Sequence, residues 1–380
     1  MEQKKIMNYR LLLFLCLILL IGLAGCQQKR EAGMQPMQKH GKTLQKEAVP
    51  PSFLLNKVQA PIPIKQGKFN TVNGWLSNDT IMYMTNVNLG TNVYTYNLYT
   101  GETNLLFESE SPISTVTASP SGTYILIHSS PNTYEGIISI IDGSGTEILS
   151  KRISAFEFNF EWNPYNENKL LISSFTEDWD FSMYVLNIKE KTLNHFENNE
   201  PFVFWNGEDE IIYLGWSQND PSLFASLMKR AITSTKEELI LNDIYYIKAV
   251  KDLLLSITID DKNSELAVYT FFSNKFEKLG SFSVPQLSRY SDWLVPFFDI
   301  GKSHFLSLQP VFSTDADTYN KGFELTTFDF KNGDKQVLME GLKNEPLSCS
   351  PNGNLCLYGF YYDKLINIET KEILELASHL

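Results

Sequence analysis

Ser119-Pro120-Ser121-Gly122 leads into Tyr124-Ile125-Leu126-Ile127, and near the far end of the chain Ser350-Pro351-Asn352-Gly353 leads into Leu355-Cys356-Leu357-Tyr358. Pro presets the φ of a turn's second residue, and Gly accepts a positive φ, so each tetrapeptide predicts a tight turn. The β-branched and aromatic run behind it predicts a strand. The same order returns, with altered residues, at Ser77-Asn78-Asp79, Asn163-Pro164-Tyr165-Asn166, Asn206-Gly207-Glu208-Asp209, Lys251-Asp252 and Gly301-Lys302. The first residues of these seven clusters are 42, 44, 43, 45, 50 and 49 positions apart. A second hairpin follows in each unit, as in Val93 to Leu98 before Thr100-Gly101-Glu102, and Met183 to Ile188 before Lys189-Glu190-Lys191. Short alternating strands joined by Thr-Gly or Asn-Gly are hairpin signals. Four strands in a period of forty-odd residues predict a β-propeller blade, and the sequence holds seven such modules.

Ahead of the repeats the chain changes character. Lys4, Lys5 and Arg10 precede fifteen residues without a charge, Leu11 to Gly25, which end in Leu23-Ala24-Gly25-Cys26. A basic n-region, an apolar h-region and a small-residue cleavage site form a secretory signal, too short to span a bilayer. Leu-Ala-Gly followed by Cys resembles the lipobox of bacterial lipoproteins, which implies that Cys26 is the acylated N-terminus of the mature chain. Residues 26–63 read as a Pro-, Gln- and Lys-rich tether whose composition cannot bury enough apolar surface to fold.

Net charge is −12 overall, with +6 in residues 27–68 and −20 in residues 69–380. An acidic body is a poor partner for nucleic acid, whereas a basic segment beside a lipid suits anionic headgroups.

The Ser-Pro-x-Gly turns resemble those of TolB-like and WD40-like propeller repeats. Together with the lipobox and the basic tether, the array resembles the YqgU-like propeller lipoproteins of bacilli, over essentially the whole chain. That resemblance implies six blades, against the seven modules counted, and the last module is expected to be a closing blade shared between the termini. The sixth is stretched by an insertion around Thr314 to Asn320.

Four cysteines occur, of which Cys16 lies in the signal and Cys26 is the lipid site. Cys349 and Cys356 flank the last Ser-Pro turn. A four-residue hairpin loop would set them directly opposite one another, either as a disulfide in an oxidising compartment or as two small buried apolar side chains.

The connections between the two hairpins of each module are longer than the turns within hairpins and are predicted to share one face. They bring Tyr134, Trp179, Trp216, Tyr319, Tyr361 and Tyr362 together with Asp178, Asp180, Asp220, Asp260, Asp261, Asp315 and Asp317. Aromatic rings among polar groups on a rigid scaffold suit a binding surface, and carboxylates from several loops suit a hard cation.

No nucleophile elbow, Walker loop, dinucleotide fingerprint or His-Glu-x-x-His pair occurs, and no motif asks for a cofactor. His40, His128, His195, His304 and His379 are scattered, and His128 and His304 suit core positions. The expected function is therefore a membrane-anchored, extracytoplasmic binding or scaffolding module with an envelope protein partner. A cation-assisted hydrolase or lyase of an extracellular phosphoester or glycan is the second expectation.

Overall fold

Each module folds into one antiparallel sheet whose four strands follow chain order. The computed structural model describes residues 57–217, 222–301, 305–330 and 333–378. The signal, Cys26, the tether as far as Asn56, Asp220, His304 and His379 lie outside the described residues. The first sheet comprises β1 (Lys68–Trp75), β2 (Thr80–Val87), β3 (Gly90–Asn97) and β4 (Thr103–Ser109). The others span residues 113–153, 157–196, 203–244, 246–285, 298–342 and 347–375, making seven four-stranded blades. First strands touch between blades one and two, three and four, four and five, and six and seven, so the first strand of each blade, A, is innermost and the fourth, D, is outermost. No described segment is helical.

The apolar core lies between blades. Leu126, Ile138 and Ile140 of the second blade pack on Trp162, Leu170, Ile172 and Leu186 of the third. Each fully buried Leu or Ile there contributes about 1.5–3 kcal/mol. The D strands are largely exposed, as in Lys335–Leu342, where only Leu342 is buried.

The two Ser-Pro turns close identically. The Ser119 N–H donates to Tyr124 O at 2.7 Å, and the Ser350 N–H donates to Leu355 O at 2.7 Å. Each serine hydroxyl accepts a second bond, from Tyr124 N–H and Leu355 N–H, both at 3.2 Å. Gly122 and Gly353 both sit at φ 75°. A Cβ on Gly122 would also stand 2.8 Å from Leu76 O, so the repeat keeps glycine for two reasons.

Two expectations need correction. The last blade is not shared between the termini, because Leu347 to Glu375 supply all four of its strands in sequence. Nor does the tether run to Pro63. Val58 and Ile62 are buried in the core shared by the first and last blades, so the folded domain begins by Lys57. This segment performs the closure that a shared blade would have supplied. Gln59 N–H donates to Leu98 O in the first blade at 2.6 Å, and Ile62 N–H donates to Leu376 O behind the last at 2.8 Å. Trp75 Nε1 adds a bond to Ser348 O at 2.9 Å. Its Pro-, Gln- and Lys-rich composition suggested a tether, but Val58 and Ile62 are two apolar anchors within it. The insertion that stretches the sixth blade carries strand structure of its own. Thr314–Asp315 pairs in parallel with Leu287–Ser288, which pairs with Trp293–Leu294, giving a three-stranded miniature sheet.

Candidate functional site

Chain-order meandering fixes the two ends of the propeller. A–B and C–D turns emerge at one end, the turn end. B–C and D–A connections emerge at the other, the loop end. Twelve exposed large apolar side chains lie in loop-end connections, including Leu89, Tyr134, Trp179, Trp216, Phe360 and Tyr361 in B–C loops. Phe156, Phe202, Tyr290 and Phe297 stand in D–A connections. The other five lie on D strands, and among the described residues none lies in a turn at the turn end.

The loop-end rings of blades two to four form one sector. Trp179 holds φ 67° and is 63% exposed, at the tip of a loop closed by Thr176 N–H to Asp180 O at 2.8 Å. A left-handed non-glycine residue costs on the order of 1 kcal/mol, and here the strain projects an indole into solvent. Beneath it, buried Phe175 meets the Trp179 ring edge-on at 5.9 Å and stacks on Phe202 at 5.7 Å. Phe156 N–H donates to Phe175 O at 2.7 Å, and Ala155 N–H to Tyr134 O at 3.1 Å. The Tyr134 hydroxyl donates to Glu177 Oε2 at 3.1 Å. That bond and the carboxylate's charge hold the phenol above its ordinary pKa. Trp216 N–H donates to Glu200 Oε1 at 3.1 Å, and burial raises the Glu200 carboxyl above its ordinary value. Asp178 and Asp180 are exposed beside Trp179.

The remaining predicted residues serve other ends. Tyr319 is not a surface ring: its hydroxyl accepts Val311 N–H at 2.9 Å and donates to Gly322 O, while its ring meets Phe312 and Phe323. Tyr362 packs against the closing core at φ 50°, and burial raises its phenol. Both leave the predicted face because loop aromatics next to a strand end fold back over the nearest apolar gap. Tyr361 keeps an exposed ring, while its carbonyl accepts Val72 N–H and Thr71 Oγ1, both at 3.0 Å. Asp315 Oδ1 accepts Asp317 N–H at 2.9 Å within the insertion.

Asp260 and Asp261 line a groove of about 690 Å³ with Phe224, Asn242, Asp243 and Thr258. Asp260 Oδ1 is turned to its own loop, accepting Lys262 N–H at 2.9 Å and Asn263 N–H at 3.0 Å. Among the described residues, no three His, Cys, Asp or Glu side chains gather into a group that could hold a metal ion. Cys349 stands opposite Cys356 in register, with their sulfurs bonded.

Phe156, Phe202 and Phe297 escaped the sequence reading, which followed only the B–C loops. The signal was available in the topology. A D–A connection must emerge at the same end as a B–C loop, so its aromatic residues belong to the same face.

A protein-family model described as a YqgU-like 6-bladed β-propeller domain matches residues 97–359. That stretch holds five complete four-stranded sheets and parts of the first and last, so its six-blade description and the seven sheets here cover different lengths of chain. The lipoprotein YqgU of Bacillus subtilis (strain 168) is 22% identical over 315 residues, covering 83% of this chain and 86% of that protein. The crystal structure of lmo1340 from Listeria monocytogenes EGD-e is similar with a TM-score of 0.78 and 24% identity, over 85% of this chain and 98% of that one. The propeller of the Trilobed protease from Pyrococcus furiosus, described as having an open velcro topology, gives a TM-score of 0.53 at 14% identity, over 83% and 99% of the two chains. The two structural likenesses bear on the fold alone.

Proposed function

The chain belongs to the YqgU-like 6-bladed β-propeller domain family, and from that premise we propose a lipid-anchored binding module on the outer side of the cytoplasmic membrane, which meets an envelope protein through its loop end. One observation carries this reading: exposed rings concentrate at the loop end, and among the described residues the opposite end exposes none. Contiguous exposed apolar surface on a soluble domain marks interaction sites. The Leu-Ala-Gly-Cys26 sequence and the similarity to a lipoprotein support the anchor. Gln59 N–H donates to Leu98 O at the turn end, so the first described residues lie at the end opposite the rings.

The binding reading is tested by photo-crosslinking in intact cells. A photoreactive residue replacing Trp179, Phe202 or Phe360 is expected to yield a discrete crosslinked product, and one replacing Thr100, Glu190 or Thr370 is expected to yield none. Equal capture from both ends would refute it.

A further inference from the structure

The ring sector of blades two to four differs from the rest of the loop end in its charge. Its connections carry Glu177, Asp178, Asp180, Glu197 and Glu200 and no lysine or arginine. None of these five carboxylates forms an ion pair with a described residue. Two basic side chains lie beside this sector without pairing with any of its five carboxylates. Arg152 pairs with Glu135, while buried Arg230 lies over the Phe196 ring and donates to the carbonyl of Glu197. Blades five to seven are acidic as well but intersperse bases among their acids: Lys262, Arg289, Lys321 and Lys343 accompany Asp260, Asp261, Glu265, Asp292, Asp315, Asp317, Glu345 and Asp363 in their connections.

Exposed rings at 5.7–5.9 Å contact through Phe175 and uncompensated carboxylates thus occupy one surface. An occupant must bury apolar groups on Trp179, Tyr134 and Phe202 and bring positive charge to the acids around them. A second copy of this chain fails that condition, because a two-fold contact would set the same carboxylates against each other. An anionic bilayer or an anionic wall polymer would be repelled for the same reason. We propose that this sector docks a basic amphipathic peptide segment of a partner protein, its aliphatic or aromatic side chains on the rings and its Lys or Arg on the carboxylates. The inference rests on the binding-module reading and names the chemistry of the partner. Arg and Lys are attracted to the faces of exposed Trp and Tyr rings as well as to carboxylates, so both parts of the surface favour the same ligand.

The test uses the full lipidated chain in zwitterionic nanodiscs, with empty nanodiscs as the blank. The probe is an 18-residue amphipathic peptide of Lys and Leu, compared with Glu/Leu and Ser/Leu peptides of the same pattern and with a tetramer of N-acetylglucosamine. The Lys/Leu peptide is expected to bind and the other three not. Neutralising Glu177→Gln, Asp178→Asn and Asp180→Asn together is expected to weaken that binding about tenfold or more, and Trp179→Ala about fivefold. A triple of equal charge change at the turn end, Glu102→Gln, Glu190→Gln and Glu369→Gln, is expected to change it less than about twofold. Equal weakening by the two triples would show attraction to net charge alone and overturn the proposal. So would absent binding of the Lys/Leu peptide, equal binding of the Ser/Leu peptide, or binding of the sugar lost on Trp179→Ala. Should the peptide fail while crosslinking from Trp179 still captures a product, the binding-module reading stands and only the basic partner is lost.

Discussion

The turn end and the loop end are made by the same seven-fold meander, yet they use polar and aromatic residues in opposite ways. At the turn end, polar side chains bond between blades. The Ser119 hydroxyl donates to Glu167 Oε2 at 2.6 Å, and Ser121 reaches the same oxygen at 2.5 Å. Asn163 Nδ2 donates to Glu208 O at 3.0 Å, Asn206 Nδ2 to Asn274 O at 3.1 Å, and Asn352 N–H to Asn78 Oδ1 at 2.9 Å. At the loop end of blades two to four, carboxylates face solvent and rings stay uncovered. A contact network that satisfies its own polar groups belongs to the fold, whereas one left open is available to a partner.

Substitutions that confuse the two ends should fail in opposite assays. Gly122→Val at the turn end forces a β-branched residue into φ 75° and against Leu76 O, and is expected to lower stability by more than about 3 kcal/mol in denaturant unfolding. Acid should come next. His128, just beneath the loop end between Phe158 and Phe160, has its pKa pushed down to about 4 by burial. The unfolded chain takes up this proton near pH 6.5 and the folded chain only near 4. Stability therefore falls as pH drops through 6.5, by about 3 kcal/mol in total below pH 4. His128→Phe is expected to flatten that slope in urea unfolding followed from pH 7 to 4.

Smaller effects sharpen the contrast further. Cys349→Ser with Cys356→Ser opens a short covalent loop at the turn end, and is expected to cost about 2 kcal/mol with loop-end capture unchanged. Glu161, on the innermost strand of the third blade, is raised to about 7 by burial, with Lys248 opposing. A raised acid stabilises the fold fully below its unfolded pKa and progressively less as pH rises through 7. Glu161 is only partly buried, so solvent screens much of this, and Glu161→Gln is expected to add about 1 kcal/mol at pH 8 and nothing at pH 4, by unfolding at both.

The repeat, the strand count per blade and the placement of B–C loops at one end were legible because turn chemistry recurs at nearly constant spacing. Ser119-Pro120-Ser121-Gly122 and Ser350-Pro351-Asn352-Gly353 announced their turns, but not the serine hydrogen bonds that close them. Closure was not legible, since Val58 and Ile62 stand in a proline-rich stretch and show their role only when the first and last blades are adjacent. Trp179 was readable as a surface ring, but Tyr362 was not distinguishable from it. Both are loop aromatics at positive φ, and only the neighbouring apolar gap turns one inward. The D–A phenylalanines needed the order of strands, not their identities.

The account rests on the loop-end rings being free of any duty in the fold. The direct test is the double variant Trp179→Ala/Phe202→Ala, followed in the same preparation by thermal unfolding and by in-cell crosslinking from Trp216. The expected result is a stability loss of no more than about 2 kcal/mol, the worth of the two ring contacts with Phe175, with loss of the crosslinked product. A fall in Tm typical of a core truncation, with the product retained, would contradict it.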